Sequence, residues 1–409
     1  MSQPATPGID VHLQQPDGPI KVGTAFVTTR RGTVTTRFAY DASYLARSDA
    51  WAISPELPLE GGRATTTGLP GAMADTAPDR WGRNLIRKRL KAQERPVAGA
   101  PPTLTEVDFL LGVSDLTRQG ALRYTRSGVD EFVAANPGVP TLIELPKLLN
   151  AADVVSRDTA QRDELAAIKA LLDAGSASLG GARPKASVRD GDRLFIAKFP
   201  HHGDEWDVMS WEKTALDLAE RCGISTPRRQ LVDVSGRRVL LIERFDRNGA
   251  ERIPYISAMT LLLGRDGESH DYVEVAEALT EHGGDVTNDL RQLWRRIAFG
   301  IAINNTDDHL RNQGLLRAAA GWVLSPAFDI NPNPDPEAVR VTSINYTSDP
   351  SETMTALVEA APYFALTADK ARGIADDVRA GMIGWRVAAT ANGIAESEQR
   401  RFADVLPRG

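Results

Sequence analysis

The sequence is poor in the residues that usually mark special chemistry. It holds one cysteine, Cys222, so no disulfide can close within its 409 residues. Cys222 lies in "LDLAERCGIS", near the end of an apparent helix, where a small core side chain is expected rather than a nucleophile. Histidine is scarce, at six residues, and none falls in an H-x-x-x-H or H-E-x-x-H spacing. The one cluster, His201–His202 in "PHHGDE", reads as a solvated loop. No G-x-S-x-G elbow occurs, which removes the main signature of a serine hydrolase. No apolar run reaches about 18 residues, so no spanning helix is expected. The first residues, "MSQPATPGIDVHLQQPDGPI", lack a charged segment followed by an apolar one. A cytoplasmic protein is therefore predicted, and a single cysteine suits that reducing compartment. Strong net charge is also missing. With 48 basic and 54 acidic side chains the balance is −6, giving no global attraction to DNA or an anionic membrane.

What is present is enough chain for two or three cores, at 42% hydrophobic and 25% charged residues. Residues 8–60 read as short strands, with "RRG" as a turn. Residues 79–94, "DRWGRNLIRKRLKAQE", read as a basic helix, followed by a Pro/Gly-rich break at "RPVAGAPPTLT". "VDFLLGVSD" and "GALRYTRSG" read as a helix and a strand, and residues 127–160 as a connector. From about residue 160 the order is helix, glycine-rich turn, strand, helix and strand, with a mostly helical block beyond residue 254. In "DVMSWEKTALDLAERCG", Val208, Trp211, Ala215, Ala219 and Cys222 share one face. The clearest helix spans 287–303, where Leu290, Leu293, Trp294, Ile297, Ala298, Ile301 and Ala302 form an apolar stripe. A packed helix of this kind is a firm mount for the polar "NNTDDHLRN" at its end.

Three segments carry candidate chemistry. In "SLGGARPKA", Gly180 and Gly181 allow a tight turn whose backbone N–H groups can face a phosphate, with Lys185 as a point charge. An ordinary surface turn would read the same way. Lys198 in "LFIAKFP" lies among apolar residues on a strand, and an ammonium there needs an anionic partner; Glu212 is the candidate. A strand lysine and a helix glutamate below a glycine loop are how protein kinases hold ATP phosphates. Asp307 and Asn312 have the five-residue spacing of a kinase catalytic base and a magnesium-binding amide; Asp308 and Asn312 do not. "GLLRAAAGWVLSPAFDINP" then supplies two short strands and a further carboxylate, Asp329. Two other readings of "NNTDDH" stay open at this point: a polar turn closing a helix, and a metallohydrolase built on Asp307, Asp308 and His309.

Taken together, "SLGGARPKA", "FIAKFP", "WEKTALDLAERCGI", "LLIERFDR", "FGIAINNTDDHLRNQGLL" and "LSPAFDI" resemble the HipA family of serine/threonine kinases, the toxin component of bacterial HipBA-type toxin–antitoxin systems. "PDRWGRNLIRKRL" and "DFLLGVSDLTRQGALRY" extend the likeness to nearly the whole chain. The resemblance implies an α+β fold: a mixed N-terminal domain over 1–150, then a kinase-like domain over 151–409 with an N-lobe to about residue 250 and a mainly helical C-lobe. It implies Asp307 as catalytic base, with Asn312 and Asp329 holding Mg2+. Gly180, Gly181, Ala182, Arg183, Pro184, Lys185 and Lys198 would hold the ATP phosphates. Glu243 and Phe245 would lie at the adenine hinge, Asp246 near the ribose, and His309 beside the nucleotide. Ser178 matches an autophosphorylated serine, whose modification would add charge beside the ATP site. A HipB-like helix-turn-helix antitoxin is the implied partner, with DNA engaged mainly through it, and an aminoacyl-tRNA synthetase is one implied target. This sequence departs from the family in "GGARPK" and in Asp308, which stands where glycine is frequent. A small-molecule phosphotransferase and a nucleotide-binding co-repressor without kinase activity are the two rival readings.

Overall fold

The computed structural model describes residues 8–31, 33–93, 104–134, 138–157, 164–176 and 183–407. The fold is α+β, as expected. The chain forms two compact units: one of residues 1–203, 234–237 and 246–256, the other of residues 204–233, 238–245 and 257–409.

The first unit is built on a five-stranded antiparallel sheet in the order Ala64–Thr67, Thr33–Tyr40, Gly18–Arg30, Ile9–Gln15, Leu122–Arg126. Ile9, Val11, Leu13, Ala25 and Phe38 are buried at alternating and facing positions that make one inward face, and Val22 is buried where the register shifts beside Val11. The expected basic helix is present as Arg80–Gln93. Its first turn is closed by Asp79, whose Oδ1 accepts the Gly82 N–H at 2.6 Å. Residues 127–160 are not a plain connector. They include the helix Leu145–Ser156, which buries Leu145, Leu148, Leu149, Ala151, Ala152 and Val155. Pro146 suggests a break in the sequence, but it falls in the first turn, where its missing N–H has no helical partner to lose. The helix Glu164–Asp173 ends at Gly175, whose φ of +65° only glycine adopts easily. A Cβ there would also strike Thr117 Oγ1 at 2.1 Å. Beyond it, Lys185–Asp190 and Arg193–Lys198 form an antiparallel hairpin in which Lys185 and Lys198 stand opposite each other.

The second unit is mainly helical. In the helix Val208–Arg221 and its cap, the expected face of Val208, Trp211, Ala215, Ala219 and Cys222 is buried. Trp211 lies 3.9 Å from the Phe402 ring and donates its Nε1–H to Glu398 at 2.8 Å. The helix Val286–Ala302 buries Leu290, Leu293, Trp294, Ile297 and Ala298 as its stripe requires. Ile301 and Ala302 are only half-buried, and Phe299 and Gly300 are buried in the last turn instead. The strands Gly314–Ala318 and Gly321–Leu324 pair as the expected hairpin. Among the described residues, no helix is long and apolar enough to cross a membrane.

Candidate active site

The site is easiest to build from the end of the Val286–Ala302 helix. The Asn304 N–H donates to Ile301 at 3.1 Å and the Asn305 N–H to Gly300 at 2.8 Å. With Asn304 at φ +52°, this is a Schellman stop in which asparagine takes the left-handed place usual for glycine. The Asn304 Nδ2 group donates to the carbonyls of Asn333 and Asp335 at 2.8 and 2.9 Å. Arg340 reaches back to the carbonyls of Gly300 (3.0 Å) and Asn305 (2.9 Å). The Val341 N–H donates to Thr306 at 3.0 Å. Thus Asn304, Asn305 and Thr306 are the frame of the loop. They join the helix end to residues 331–342 and satisfy carbonyls that the helix leaves open.

The two acids that follow are unlike. Asp307 is exposed. Asp308 turns inward: Tyr272 donates its phenol proton to Oδ2, and Gln313 Nε2 lies 3.0 Å from each carboxylate oxygen. Burial pushes the Asp308 carboxyl above the usual carboxylate range, with the Tyr272 and Gln313 hydrogen bonds acting the other way. His309 caps a short turn of 3-10 helix, Leu310–Asn312, and its Nδ1 is buried.

Asn312 is buried and donates Nδ2–H to the Asp307 carbonyl at 3.2 Å, which leaves its Oδ1 as an acceptor. The hairpin after it leads to Asp329, half-buried and in the left-handed region at φ +56°. Asn331 donates to Asp329 Oδ1 at 3.4 Å, and its own N–H donates to Asn305 Oδ1 at 3.3 Å. Asn305, Asp308, Asn312, Gln313, Phe328 and Ile330 line one small cavity of about 20 Å³. The 327–330 turn therefore sits against the loop that carries Asp307. Among the described residues, no group of three histidine, cysteine or acidic side chains is gathered for a metal. A carboxylate and an amide oxygen suit magnesium, which binds few protein oxygens and keeps several waters, so the donor chemistry here fits that ion. Phe245, at the end of the strand Arg237–Glu243, lies 5.5 Å from Phe328, and Glu243 donates its N–H to Arg228 at 2.8 Å.

Of the remaining expected residues, some lie outside the described ones and the others are divided between the two units. Ser178, Gly180, Gly181 and Ala182 lie outside the described residues. Arg183 is half-buried and Pro184 buried. Lys185 is 2% exposed and its Nζ is 2.7 Å from Asp79 Oδ2, so the acid that caps the basic helix also faces this lysine. Lys198, at 9% exposed, belongs to the first unit, and Glu212, at 1%, to the second. Asp246 is buried in the first unit, where it accepts the Gly120 N–H at 2.7 Å and pairs with Arg247 at 2.8 Å. Arg247 also donates to the Arg118 carbonyl at 2.6 Å. The sequence reading missed Asp79, Tyr272 and Gln313. None stands in a recognisable motif, and only Asp79, directly ahead of a basic helix, carried a local signal as a cap.

An exposed carboxylate on a framed loop, an amide five residues on and a second carboxylate on an adjoining turn form an arrangement of the kind used in phosphoryl transfer. A family model described as the HipA-like C-terminal domain matches residues 177–385, and one described as the HipA N-terminal domain matches residues 17–100. The chain belongs to the HipA family. No curated protein matches its sequence. Among solved structures, it is similar to HipA of Shewanella oneidensis MR-1 in a toxin–antitoxin complex with HipB and operator DNA. That match has a TM-score of 0.70 at 15% identity and covers 97% of this chain and 94% of that one. It is also matched to the Helicobacter pylori proinflammatory kinase CtkA, with a TM-score of 0.36 at 16% identity over 52% of this chain and 93% of that one. The choline kinase LicA of Streptococcus pneumoniae gives a TM-score of 0.19 at 16% identity, over 56% and 90%. The first likeness establishes the fold, and the other two score too low to add to it.

Proposed function

We propose that the protein is an ATP-dependent serine/threonine-protein kinase and the toxin of a HipBA-type pair. The observation that carries this reading is the contrast between neighbours: Asp307 is exposed while Asp308 is held from inside, and Asn312 is tied to the Asp307 carbonyl. In this reading Asp307 orients the target hydroxyl and takes its proton as the γ-phosphoryl group leaves ATP. Asn312 and Asp329 hold magnesium, which when bound neutralises phosphate charge. Lys198, with Glu212 as its counter-charge, and the loop 180–185 hold the phosphates. Within that loop Lys185 acts from beside Asp79, so its charge is already partly balanced. Glu243 and Phe245 receive adenine. Asp246, committed to Gly120 and Arg247, shapes the wall near the ribose. His309 lines the nucleotide's edge, and Ser178 is the self-modified residue. A HipB-like helix-turn-helix protein restrains the toxin and brings it to DNA, in keeping with the HipB and operator DNA of the Shewanella complex. The target is a protein hydroxyl, with an aminoacyl-tRNA synthetase as the class to try first.

The test is to offer γ-labelled ATP and Mg2+ with a protein extract in one arm and small metabolites in the other. Label on protein is expected, and label only on metabolites contradicts the reading. Asn312→Ala and Asp329→Ala should each weaken magnesium-dependent nucleotide binding at least about tenfold.

A further inference from the structure

Asp308 has no part in the transfer proposed above, yet both its side chain and its carbonyl are held by hydrogen bonds. Tyr272 and Gln313 both donate to its carboxylate, and Thr342 Oγ1 donates to its carbonyl at 2.6 Å. These partners come from three separate stretches. Tyr272 opens the helix Tyr272–His282 and is buried. Its neighbour Asp271, the cap of that helix, also accepts from Ser343 Oγ at 2.5 Å and from the Tyr346 N–H at 2.7 Å. The Tyr272 N–H donates to Ser343 at 3.1 Å. The pair Asp271–Tyr272 therefore fastens the segment 342–346 with one residue and the Asp307 loop with the other.

We propose that Asp308 and Tyr272 are positioning residues that aim Asp307, and this rests on the kinase reading of Asp307. Asp307 is exposed, while its neighbour Asp308 is bonded inward to Tyr272 and Gln313. Holding Asp308 inward fixes the loop that presents Asp307. A glycine or alanine at 308 would leave the loop's direction to its backbone alone, and would strip Tyr272 and Gln313 of a shared acceptor. The chemistry of the anchor is stable. Burial, followed by the nearby Asp308 charge, raises the Tyr272 phenol well above its ordinary range, so it remains a donor. Gln313 follows Asn312 directly, so the same anchor fixes the residue before the hairpin as well as the acid that begins the motif.

The experiment uses the full chain with Tyr272→Phe, Asp308→Ala and Asp308→Asn. Asparagine at 308 can still accept from Tyr272, and Gln313 can turn its amide to meet it. Hydrogen exchange over residues 304–313 should quicken about tenfold in Tyr272→Phe and Asp308→Ala, with the helix Val286–Ala302 unchanged. The Asn variant should stay near wild type. In the transfer assay, kcat should fall at least about tenfold in the same two variants while KM for ATP stays within about twofold, with recovery in Asp308→Asn. Unchanged loop exchange in Tyr272→Phe overturns the anchor, and so does a rise in KM at constant kcat. If the loop responds while wild-type protein moves no phosphate, the anchor stands and the kinase reading falls.

Discussion

At the scale of single residues, burial separates side chains that the sequence presents as equals. Cys222 shows the effect of burial on a single group. It is 2% exposed, its Sγ donates to Val378 at 3.4 Å, and burial raises its thiol to about 11. Gly381 packs so closely that a Cβ there would come within 2.6 Å of Sγ. A thiol reagent at about pH 8 should leave native protein unlabelled and react only after denaturation, because the thiolate is the reactive form. Rapid labelling of folded protein would contradict this placement. That cysteine was legible as a core residue from its position on a helix face. Spacing to Asn312 sets Asp307 apart from Asp308 as a candidate, and the structure sets the two apart by exposure. What spacing could not supply was the reason for the second acid. Its partners, Tyr272 and Thr342, are 36 and 34 residues away in sequence. Lys185 and Asp246 illustrate the same limit: their partners Asp79 and Gly120 lie 106 and 126 residues off. Pairing at such separations leaves no local pattern to read.

At the scale of the element, the Val286–Ala302 helix and its stop determine where the site begins. Its apolar stripe was readable, because a 3.6-residue period depends only on local geometry. The stop was half-readable: Asn suits a left-handed cap, but the sequence does not say which Asn takes it. Asn304→Ala should cost about 2 kcal/mol, from left-handed strain plus two lost hydrogen bonds to the 333–335 turn. Asn304→Gly should cost less, since glycine accepts the backbone angle. Urea denaturation measures both, and an alanine variant no less stable than the glycine one would contradict the Schellman assignment. The helix Leu145–Ser156 is the opposite case. It lies in the stretch read as a connector, and a proline in a helix's first turn gives no local sign that a helix follows.

At the scale of the whole molecule, the two units interleave in sequence. Residues 234–237 and 246–256 return to the first unit after the chain has entered the second. Such short returns carry no compositional mark, so the class of fold was legible while these returns were not. The buried charges of the second unit have a global consequence. Burial raises Asp289 from 3.8 to about 6, although Leu324 donates its N–H to the carboxylate and Arg296 lies nearby. Burial also lowers Arg296 to about 10. A carboxyl whose folded value is raised binds its proton more tightly in the native state. Its contribution is therefore most favourable below about pH 4 and is lost as pH rises through about 6. Asp289→Asn keeps a hydrogen-bond acceptor for Leu324 but removes the titration. Stability measured by denaturant from pH 4 to 7 should decline less in the variant than in wild type. An identical slope would contradict the assignment.

The proposed function turns on Asp307 doing the chemistry while Asp308 only holds it in place. The direct measurement is single-turnover transfer of labelled γ-phosphate, with Mg2+, by wild type, Asp307→Ala, Asp307→Asn and Asp308→Asn. Transfer by wild type and Asp308→Asn, with loss of about a hundredfold or more in both Asp307 variants, is the expected result. Transfer that survives in Asp307→Ala, or that disappears in Asp308→Asn while the loop stays ordered, would contradict it.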